Sequence, residues 1–173
     1  MDIIVKKMET EAEIRGKAWV HWSTWHEAFL GLVSPDFLRQ LTLARCEKMA
    51  FSRTDGLLVA KDGDRVVGFV GYGTREEAPE AGEIFSLYVL SRYQGRGVGR
   101  QLMAAALREL APYRQIVLWV LKKNTRAIRF YEKCGFAATG ETMYSERCAA
   151  TEIRMALERP EGQTAAPAPR FTP

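Results

Sequence analysis

Blocks of apolar residues divide the chain into segments of strand and helix character. Short runs rich in branched apolar residues predict strands, whereas apolar positions spaced by three or four predict helices. The predicted strands cover residues 3–5, 57–61, 65–72, 84–90, 116–121, 136–143 and 151–157. The predicted helices run over about residues 10–29, 34–49, 97–110 and 124–134. Strand 116–121 is continuously apolar, which is typical of a strand covered on both faces, and we expect it to lie parallel to strand 84–90 through a right-handed crossover.

The chain is organised around residues 83–100, EIFSLYVLSRYQGRGVGR, where an apolar strand leads into a glycine-rich turn and then a helix. Glycines at 95, 97 and 99 let backbone N–H groups converge, and the helix N-terminus adds the positive end of its dipole, so the turn favours an anion. The spacing fits neither G-x-x-x-x-G-K-[ST] nor G-x-G-x-x-G, which excludes a nucleoside-triphosphate loop and a dinucleotide fingerprint. An anion-binding turn is therefore predicted, with a purely structural strand-to-helix turn as the alternative.

The length of 173 residues, with 47% hydrophobic and 27% charged residues, is typical of one globular domain. We expect that domain over residues 1–159 and a disordered Pro/Ala-rich tail over residues 160–173, which lack apolar periodicity. The charged N-terminus is too short for a signal peptide and no apolar run would cross a bilayer, so we expect a cytoplasmic protein without a membrane partner. Three widely spaced cysteines indicate neither a disulfide framework nor a metal site.

The net charge of +4 is unevenly distributed along the chain. Residues 92–133 contain ten Lys/Arg and two acidic residues, a local charge of +8, whereas the rest of the chain carries −4. The basic part includes the glycine-rich turn, which favours a multiply anionic ligand. Nucleic acid is the second candidate for this charge, but the chain shows no nucleic-acid-binding module, and we expect no nucleic-acid partner.

The first predicted helix carries tryptophans at 19, 22 and 25 on an apolar stripe with Ile14, Ala18 and Phe29. The stripe predicts packing against the core; alternatively, Trp22, Trp25 and His26 extend past the core and line a ligand pocket. The predicted loop 74–82 contains glutamates at 76, 77 and 80, which either attract a cationic substrate or are simply solvated. His21 and His26 are the only histidines, too few to support a triad or a metal cluster, and we expect no metal.

Three motifs resemble the GNAT superfamily of acetyl-CoA-dependent N-acetyltransferases: Glu83-Ile-Phe-Ser-Leu-Tyr-Val89, Gln94-Gly-Arg-Gly-Val-Gly-Arg100 and Asn124-x-x-Ala127-x-x-Phe130-Tyr131-x-x-x-Gly135-Phe136. They cover residues 83–136, and the order of elements resembles the family over residues 3–158. The resemblance implies an α/β (α+β) fold, with a mixed, mostly antiparallel central sheet of about six or seven strands, a parallel splayed pair in its middle and about four flanking helices. It also implies an acyltransferase with acetyl-CoA as its cofactor.

The resemblance assigns roles around this cofactor. The glycine-rich turn would bind the pyrophosphate, the edge of the strand after Glu83 would pair with the pantetheine arm, and the N–H of Leu87 would face the thioester oxygen. Tyr131 would protonate the departing thiolate, and Glu83 would act as general base, directly or through a water. A core position for Tyr131 and an enzyme without a side-chain base are the alternatives. The expected cofactor-binding residues are Leu87, Tyr88, Val89, Gln94, Gly95, Arg96, Gly97, Val98, Gly99, Arg100, Asn124, Ala127 and Tyr131.

The same resemblance bears on the acceptor amine. The pattern Trp25-x-x-Ala28-Phe29-x-Gly31-x-x-Ser34-Pro35 resembles the bacterial spermine/spermidine acetyltransferases and, with Glu27 and the glutamates of residues 74–83, favours a small, polyamine-like amine. A protein or peptide amine, an antibiotic amine and a non-catalytic acetyl-CoA sensor are the alternatives. The resemblance also admits a homodimer that shares strand 151–157. The expected acceptor-binding residues are Trp25, His26, Phe29, Tyr72 and Glu83.

Overall fold

The structure is a computed structural model that describes residues 2–160. Its strands are β1 (Ile3–Lys7), β2 (Leu57–Asp62), β3 (Arg65–Arg75), β4 (Ala78–Val89), β5 (Gln115–Leu121), β6 (Ala137–Ser145) and β7 (Ala150–Glu158). Its helices are α1 (Glu11–Ala28), α2 (Pro35–Gln40), α3 (Leu43–Ser52), α4 (Val98–Glu109) and α5 (Thr125–Lys133), and a 3₁₀ turn, Ser91–Tyr93, separates β4 from α4. Each of the seven predicted strands is present.

The strands form one seven-stranded sheet in the order β1-β2-β3-β4-β5-β7-β6. Every neighbouring pair is antiparallel except β4 and β5, which run parallel. A mixed, mostly antiparallel sheet with one parallel pair near its middle is the fold class expected from the sequence, and the structure confirms it.

Helices cover both faces of this sheet. Leu102 of α4 packs in a buried cluster with Leu58 and Ala60 of β2, and residues of α5 join the same cluster. Val20 of α1 packs in a second cluster with Val59 of β2. Because successive residues of a strand point to opposite faces, α1 and α4 lie on opposite sides of the sheet.

The segment predicted as one helix over residues 34–49 consists of two helices. Leu41 ends α2, and the Thr42 side chain opens α3 by accepting a hydrogen bond from the N–H of Arg45. A threonine in this role favours a helix start over a helix interior, which explains the break. Three apolar residues of this segment are buried: Phe37, Leu38 and Leu41.

The buried face of α1 differs from the predicted tryptophan stripe. A capping box of Thr10 and Glu13 opens the helix. However, Trp19 is 39% exposed, and the fully packed face passes through Gly16, where a Cβ would lie only 2.7 Å from Val66 of β3. The helix approaches the sheet through this small residue, so the bulky tryptophans are placed beside the contact rather than in it. The buried residues of α1 are Glu13, Lys17, Ala18, Val20, Ser23 and Thr24.

The predicted acidic loop 74–82 is mostly strand. β3 continues to Arg75 and β4 begins at Ala78, so only Glu76 and Glu77 form the turn between them. The hydroxyl of Thr74 donates within this hairpin to the carbonyl oxygens of Ala78 and Ala81, at 3.3 and 2.9 Å. The glutamates are thereby held on a tight, exposed hairpin.

No helix within residues 2–160 is long and apolar enough to span a membrane. Across the same residues, no group of three or more His, Cys, Asp or Glu side chains is arranged to hold a metal ion. All three cysteines lie in the described part of the chain and have free thiols. Apart from Pro160, the predicted disordered tail lies outside the described residues.

Candidate functional site

β4 carries one extra residue relative to its neighbour β3. Gly71 pairs with Ser86, whereas the next residue, Tyr72, pairs with Ile84, so Phe85 is the bulged residue. On the other side, the pairing of β4 with β5 stops at Ile84. A bulge bends its strand away from the ladder, and the two parallel strands part at this point. The parallel pair is therefore splayed, as expected from the sequence.

The splay opens a cleft of about 120 Å³. Residues 84–88 of β4 form one wall, and residues 119–121 of β5 form the other. Beyond the last β4–β5 pair, the facing edges of these strands no longer hydrogen-bond to each other. Such edges present backbone N–H and C=O groups to any extended ligand that enters. Six further residues complete the lining: Trp25, Phe29, Asn124, Ala127, Tyr131 and Glu152.

The N-terminus of α4 follows the end of β4. Gly95 and Gly97 have φ angles of +73° and +84°, and a Cβ at either position would point into open space. Gly97 is the N-cap and offers no side-chain cap, whereas the N-cap side chains of the other four helices accept a backbone N–H. Because the first N–H groups of a helix have no intrahelical acceptor, those of α4 are directed toward an external one.

The surroundings of this turn are basic and ordered. The Gln94 side chain donates to the carbonyl oxygen of Val89 at 2.8 Å, which ties the turn to the end of β4. Arg92, Arg96 and Arg100 are exposed around it. The turn therefore combines unsatisfied N–H groups with nearby cations, which suits a phosphate or pyrophosphate.

α5 and its N-cap bring three of the expected residues to the cleft: Asn124, Ala127 and Tyr131. The Asn124 side-chain oxygen caps the helix by accepting from the N–H of Ala127 at 3.1 Å. Tyr131, two turns later, is 8% exposed and lines the cleft. Burial, helped by the nearby Tyr88 and Cys134 side chains, raises the pKa of the Tyr131 phenol. Its hydroxyl therefore carries a proton at neutral pH.

The end of the cleft near α1 is aromatic. Trp25 stacks on Phe29, with ring centroids 4.3 Å apart, and also contacts Phe37 at 5.1 Å. Its indole Nε1 is buried and has no hydrogen-bond partner within residues 2–160. Tyr88 stacks on His21 at 5.4 Å, and burial lowers the pKa of His21 to about 4, so this imidazole is neutral at pH 7.

Four expected site residues are not brought to the cleft. The Tyr72 hydroxyl lies in the core and donates to Glu109 of α4 at 3.2 Å. The His26 ring nitrogens lie 2.8 and 3.1 Å from the carbonyl oxygens of Trp22 and Leu38, so the imidazole is held within the helical region. The others are Val89, buried under α4, and Glu83.

Glu83 is buried beside the cleft but does not line it. Only 4% of the residue is exposed, and its two carboxylate oxygens accept from Arg75 Nε at 2.5 Å and Arg75 Nη2 at 2.8 Å. This is the bidentate geometry in which a guanidinium binds a carboxylate most strongly. Both oxygens therefore have a partner before any amine arrives.

Glu152 is the cleft-lining acid that sequence reasoning missed. It lies on β7, opposite Leu121 of β5, and is half-buried. In the sequence it belongs to an alternating strand, Thr151 to Leu157, where a polar position normally faces solvent. Only the pairing of β7 with β5, which the sequence does not reveal, places this side chain at the splay.

A family comparison agrees with this geometry. A model of the acetyltransferase (GNAT) family matches residues 19–136, more than half of the chain. The chain belongs to this family. Members of this family are acetyltransferases, which agrees with the acyltransferase class and the acetyl-CoA cofactor expected from the sequence.

Two relatives show how far the likeness extends. An uncharacterized N-acetyltransferase of Archaeoglobus fulgidus is 37% identical over 112 residues, covering 61% of this chain and 76% of that protein. A mycothiol acetyltransferase of Corynebacterium glutamicum is 31% identical over 107 residues, covering 61% of this chain. The match spans only 36% of the length of that mycothiol acetyltransferase.

Solved structures share the GNAT fold. PH1933 from Pyrococcus horikoshii superposes with a TM-score of 0.73 at 25% identity, covering 92% of this chain and 99% of that one. The PaiA N-acetyltransferase from Thermoplasma acidophilum, solved in complex with coenzyme A, gives a TM-score of 0.72 at 16% identity, covering 92% and 100%.

Proposed function

We propose that this GNAT protein transfers the acetyl group of acetyl-CoA directly to a small primary amine. The observation that carries this proposal is the splayed cleft between β4 and β5. It has a phenol in its wall and the uncapped N-terminus of α4 at the end of the strand that forms it.

The residues present suit acetyl-CoA. The N–H groups at the start of α4, between Gly95 and Arg100, would hold the pyrophosphate, with Arg92 and Arg100 adding positive charge. The free edge of β4 at Leu87 and Tyr88 would hydrogen-bond to the amide groups of the pantetheine arm. Asn124 and Ala127 would line the same arm.

When bound, acetyl-CoA supplies a thioester carbonyl that a neutral amine can attack, with no covalent enzyme intermediate. The N–H of Leu87 is the donor proposed to stabilise negative charge on the carbonyl oxygen. Tyr131 holds a proton at Oη for the leaving sulfur, and its raised pKa keeps that proton in place through neutral pH.

The acceptor proposal rests on the aromatic end of the cleft. Trp25 and Phe29 provide flat apolar walls that suit the alkyl part of a small amine. The five glutamates that favoured a polyamine lie outside the lining: Glu27 accepts from Ser91, Glu83 is bound by Arg75, and Glu76, Glu77 and Glu80 are exposed on the β3–β4 hairpin. A polyamine remains one candidate within the small-amine class. These five glutamates would attract its positive charges from the rim of the cleft, not from its lining.

Thiol release from acetyl-CoA tests this proposal, with polyamines, aminoglycosides, amino acids and short peptides as acceptors. We expect saturable turnover with one amine class. Gly97→Glu places a carboxylate at the start of α4 and should raise the KM for acetyl-CoA at least about tenfold. Gly63→Glu is the matched control, because Gly63 also has a positive φ, +59°, and open space around it, but lies in the β2–β3 turn.

An unchanged KM in Gly97→Glu would contradict the assignment of the pyrophosphate site. Tight acetyl-CoA binding without turnover for any amine would instead favour the sensor alternative over the enzyme.

A further inference from the structure

We propose that Glu152, which lines the same cleft as Trp25 and Phe29, forms the subsite for the acceptor's primary ammonium group and takes the proton that the amine must lose. This inference deepens the proposed function and rests on it for the reaction, although the subsite itself can be tested without turnover. It assigns the base to a residue on β7 rather than to the buried acid on β4.

The position of Glu152 makes it available to an acceptor. β7 pairs with β5 along the full length of β5, and the pair Leu121–Glu152 lies beyond the point where β5 has separated from β4. The side chain therefore projects at the open part of the splay, where it lines the same cleft as Tyr131. A carboxylate and a phenol in one cleft provide a proton acceptor and a proton donor for one amine.

The carboxylate of Glu152 is free to bind. Within residues 2–160, no hydrogen bond or ion pair engages it, whereas the two fully buried glutamates of that range are both paired. Glu83 is bound by Arg75, and Glu13 by Lys6 and Lys61. A half-buried carboxylate without a partner gains most from an incoming cation, because the pair forms in a partly desolvated site.

The apolar walls recognise the rest of the ligand. The stacked rings of Trp25 and Phe29 end the cleft, and Trp119 of β5 and Phe85 of β4 flank it. Aromatic faces attract a cation placed over them and pack against its alkyl chain. The subsite therefore suits a primary alkylammonium ion.

Several charged and titratable groups face Glu152. Arg75 of β3 and Arg147 of the β6–β7 turn lie near enough to favour its ionised form, while Tyr88 of β4 and Tyr131 of α5 are neutral phenols. Lys122, just after β5, is exposed. Burial outweighs the two arginines and raises the pKa of Glu152 above its ordinary value of 4.5. A raised pKa makes the carboxylate a stronger base toward the incoming ammonium group.

The proton balance is complete without another reactant. The ammonium gives one proton to the Glu152 carboxylate and becomes a neutral amine. As its nitrogen bonds to the carbonyl carbon and the C–S bond breaks, the nitrogen loses a second proton, and the thiolate receives one from Tyr131. Tyr131 is restored by that second proton, and Glu152 releases the first to solvent. The net products are an amide, a thiol and one proton.

The subsite is tested by carbon-13 NMR of the full chain labelled at the glutamate side-chain carboxyls, with n-butylammonium as the probe. Glu152→Gln identifies the Glu152 resonance by its loss. We expect that resonance to titrate above pH 4.5 and to shift saturably with n-butylammonium but not with n-butanol, its uncharged analogue. An unshifted resonance, or equal shifts with both compounds, would overturn the subsite whether or not the protein turns over.

The proton-transfer role is tested with the best amine from the thiol-release panel. Glu152→Gln should lower kcat/KM by at least about a hundredfold and abolish the acidic limb of its pH profile, while Glu152→Asp retains that limb. Glu141→Gln, an exposed glutamate on β6, is the matched control and should change little. If the acidic limb of the pH profile were lost in Glu83→Gln but kept in Glu152→Gln, the general base would be Glu83 and the proposal would be wrong. Absence of turnover in the wild type, with the NMR shifts present, would refute the enzyme proposal and leave the subsite standing.

Discussion

At the scale of single residues, the chemistry of the cleft depends on how deeply each ionisable side chain is buried and whether it has a partner. Glu83 is buried with Arg75 as its partner, Glu152 is half-buried without one, and Tyr131 is buried as a neutral phenol. Two side chains of the same type, Glu83 and Glu152, therefore have different environments in the fold. The two glutamates could not be ranked from their neighbours along the chain, because their partners come from other strands.

The Tyr131 hydroxyl can be removed with little change in packing. Tyr131→Phe retains the ring contacts with Phe130 and Phe136, at 5.5 and 6.1 Å. We expect kcat to fall by about a hundredfold or more, because the leaving sulfur loses its proton donor. The dissociation constant for acetyl-CoA, measured by calorimetry, should stay within about threefold, since the phenol acts on the departing thiolate rather than on binding. Equal kcat values in the two proteins would show that Tyr131 is a core residue.

Glu13 links stability to acid pH. Burial alone would raise the pKa of Glu13, but hydrogen bonds from the N–H groups of Glu9 and Thr10 and from the Lys6 and Lys61 ammoniums lower it to about 2. Because the folded-state pKa lies below the ordinary 4.5, the stabilisation is complete above pH 4.5 and is lost as the pH falls toward 2. Glu13→Gln should lower the free energy of unfolding at pH 7 by about 3 kcal/mol, measured in urea.

The deficit of Glu13→Gln relative to the wild type should shrink as the pH approaches 2. Glu11→Gln is the control, since Glu11 is exposed in the same helical turn and pairs only with Arg15. A deficit independent of pH would mean that the Glu13 charge does not contribute to folding.

At the scale of elements, features that depend on apolar periodicity or on glycine could be predicted from the sequence. Features that depend on a neighbouring strand could not. The strands and the glycine-rich turn were predictable, since runs of branched apolar residues indicate strands and glycines indicate positions with positive φ angles. The bulge at Phe85 was not, because a bulge exists only relative to β3. Similarly, the packed face of α1 is set by the close approach of Gly16 to β3. The tryptophan positions in the sequence indicate a different face.

Gly68 tests the contact between α4 and the sheet. A Cβ at this β3 position would lie 2.9 Å from the Tyr88 carbonyl oxygen and 3.1 Å from Leu102 Cδ1 of α4. The backbone oxygen of Tyr88 cannot shift without disturbing β4, so Gly68→Ala should lower the free energy of unfolding by about 1–3 kcal/mol. Gly99→Ala, whose nearest neighbour is Phe130 at 3.5 Å, should change it by less than about 1 kcal/mol. Chemical denaturation of the two variants side by side is the measurement, and equal stabilities would contradict the packing of α4.

At the scale of the whole molecule, charge is unevenly distributed along the chain. Residues 92–133, which include α4, β5 and α5, carry a net +8 within a chain of +4. The expected acetyl-CoA phosphates therefore lie in the positive half. The remainder of the chain, which carries the acceptor end at α1, is net negative.

This division predicts a salt-dependent donor affinity. Between about 50 and about 300 mM NaCl, the dissociation constant for acetyl-CoA should rise by about three- to tenfold, because the phosphates are screened from the arginines around the turn. S-acetylpantetheine, which lacks the nucleotide phosphates, is the control and should show almost no dependence in the same calorimetric titration. Parallel salt dependences for the two ligands would place the phosphates away from the basic half.

Backbone hydrogen bonds join the two parts of the sheet through the short β4–β5 ladder, in which Ala81–Ile84 face Gln115–Leu118. Four strands lie on one side of this seam and three on the other. An extended ligand that hydrogen-bonds along both free edges would join the two halves as an additional strand does. The donor would then be a structural component, so the lifetime of this protein against proteolysis should rise and fall with the supply of acetyl-CoA.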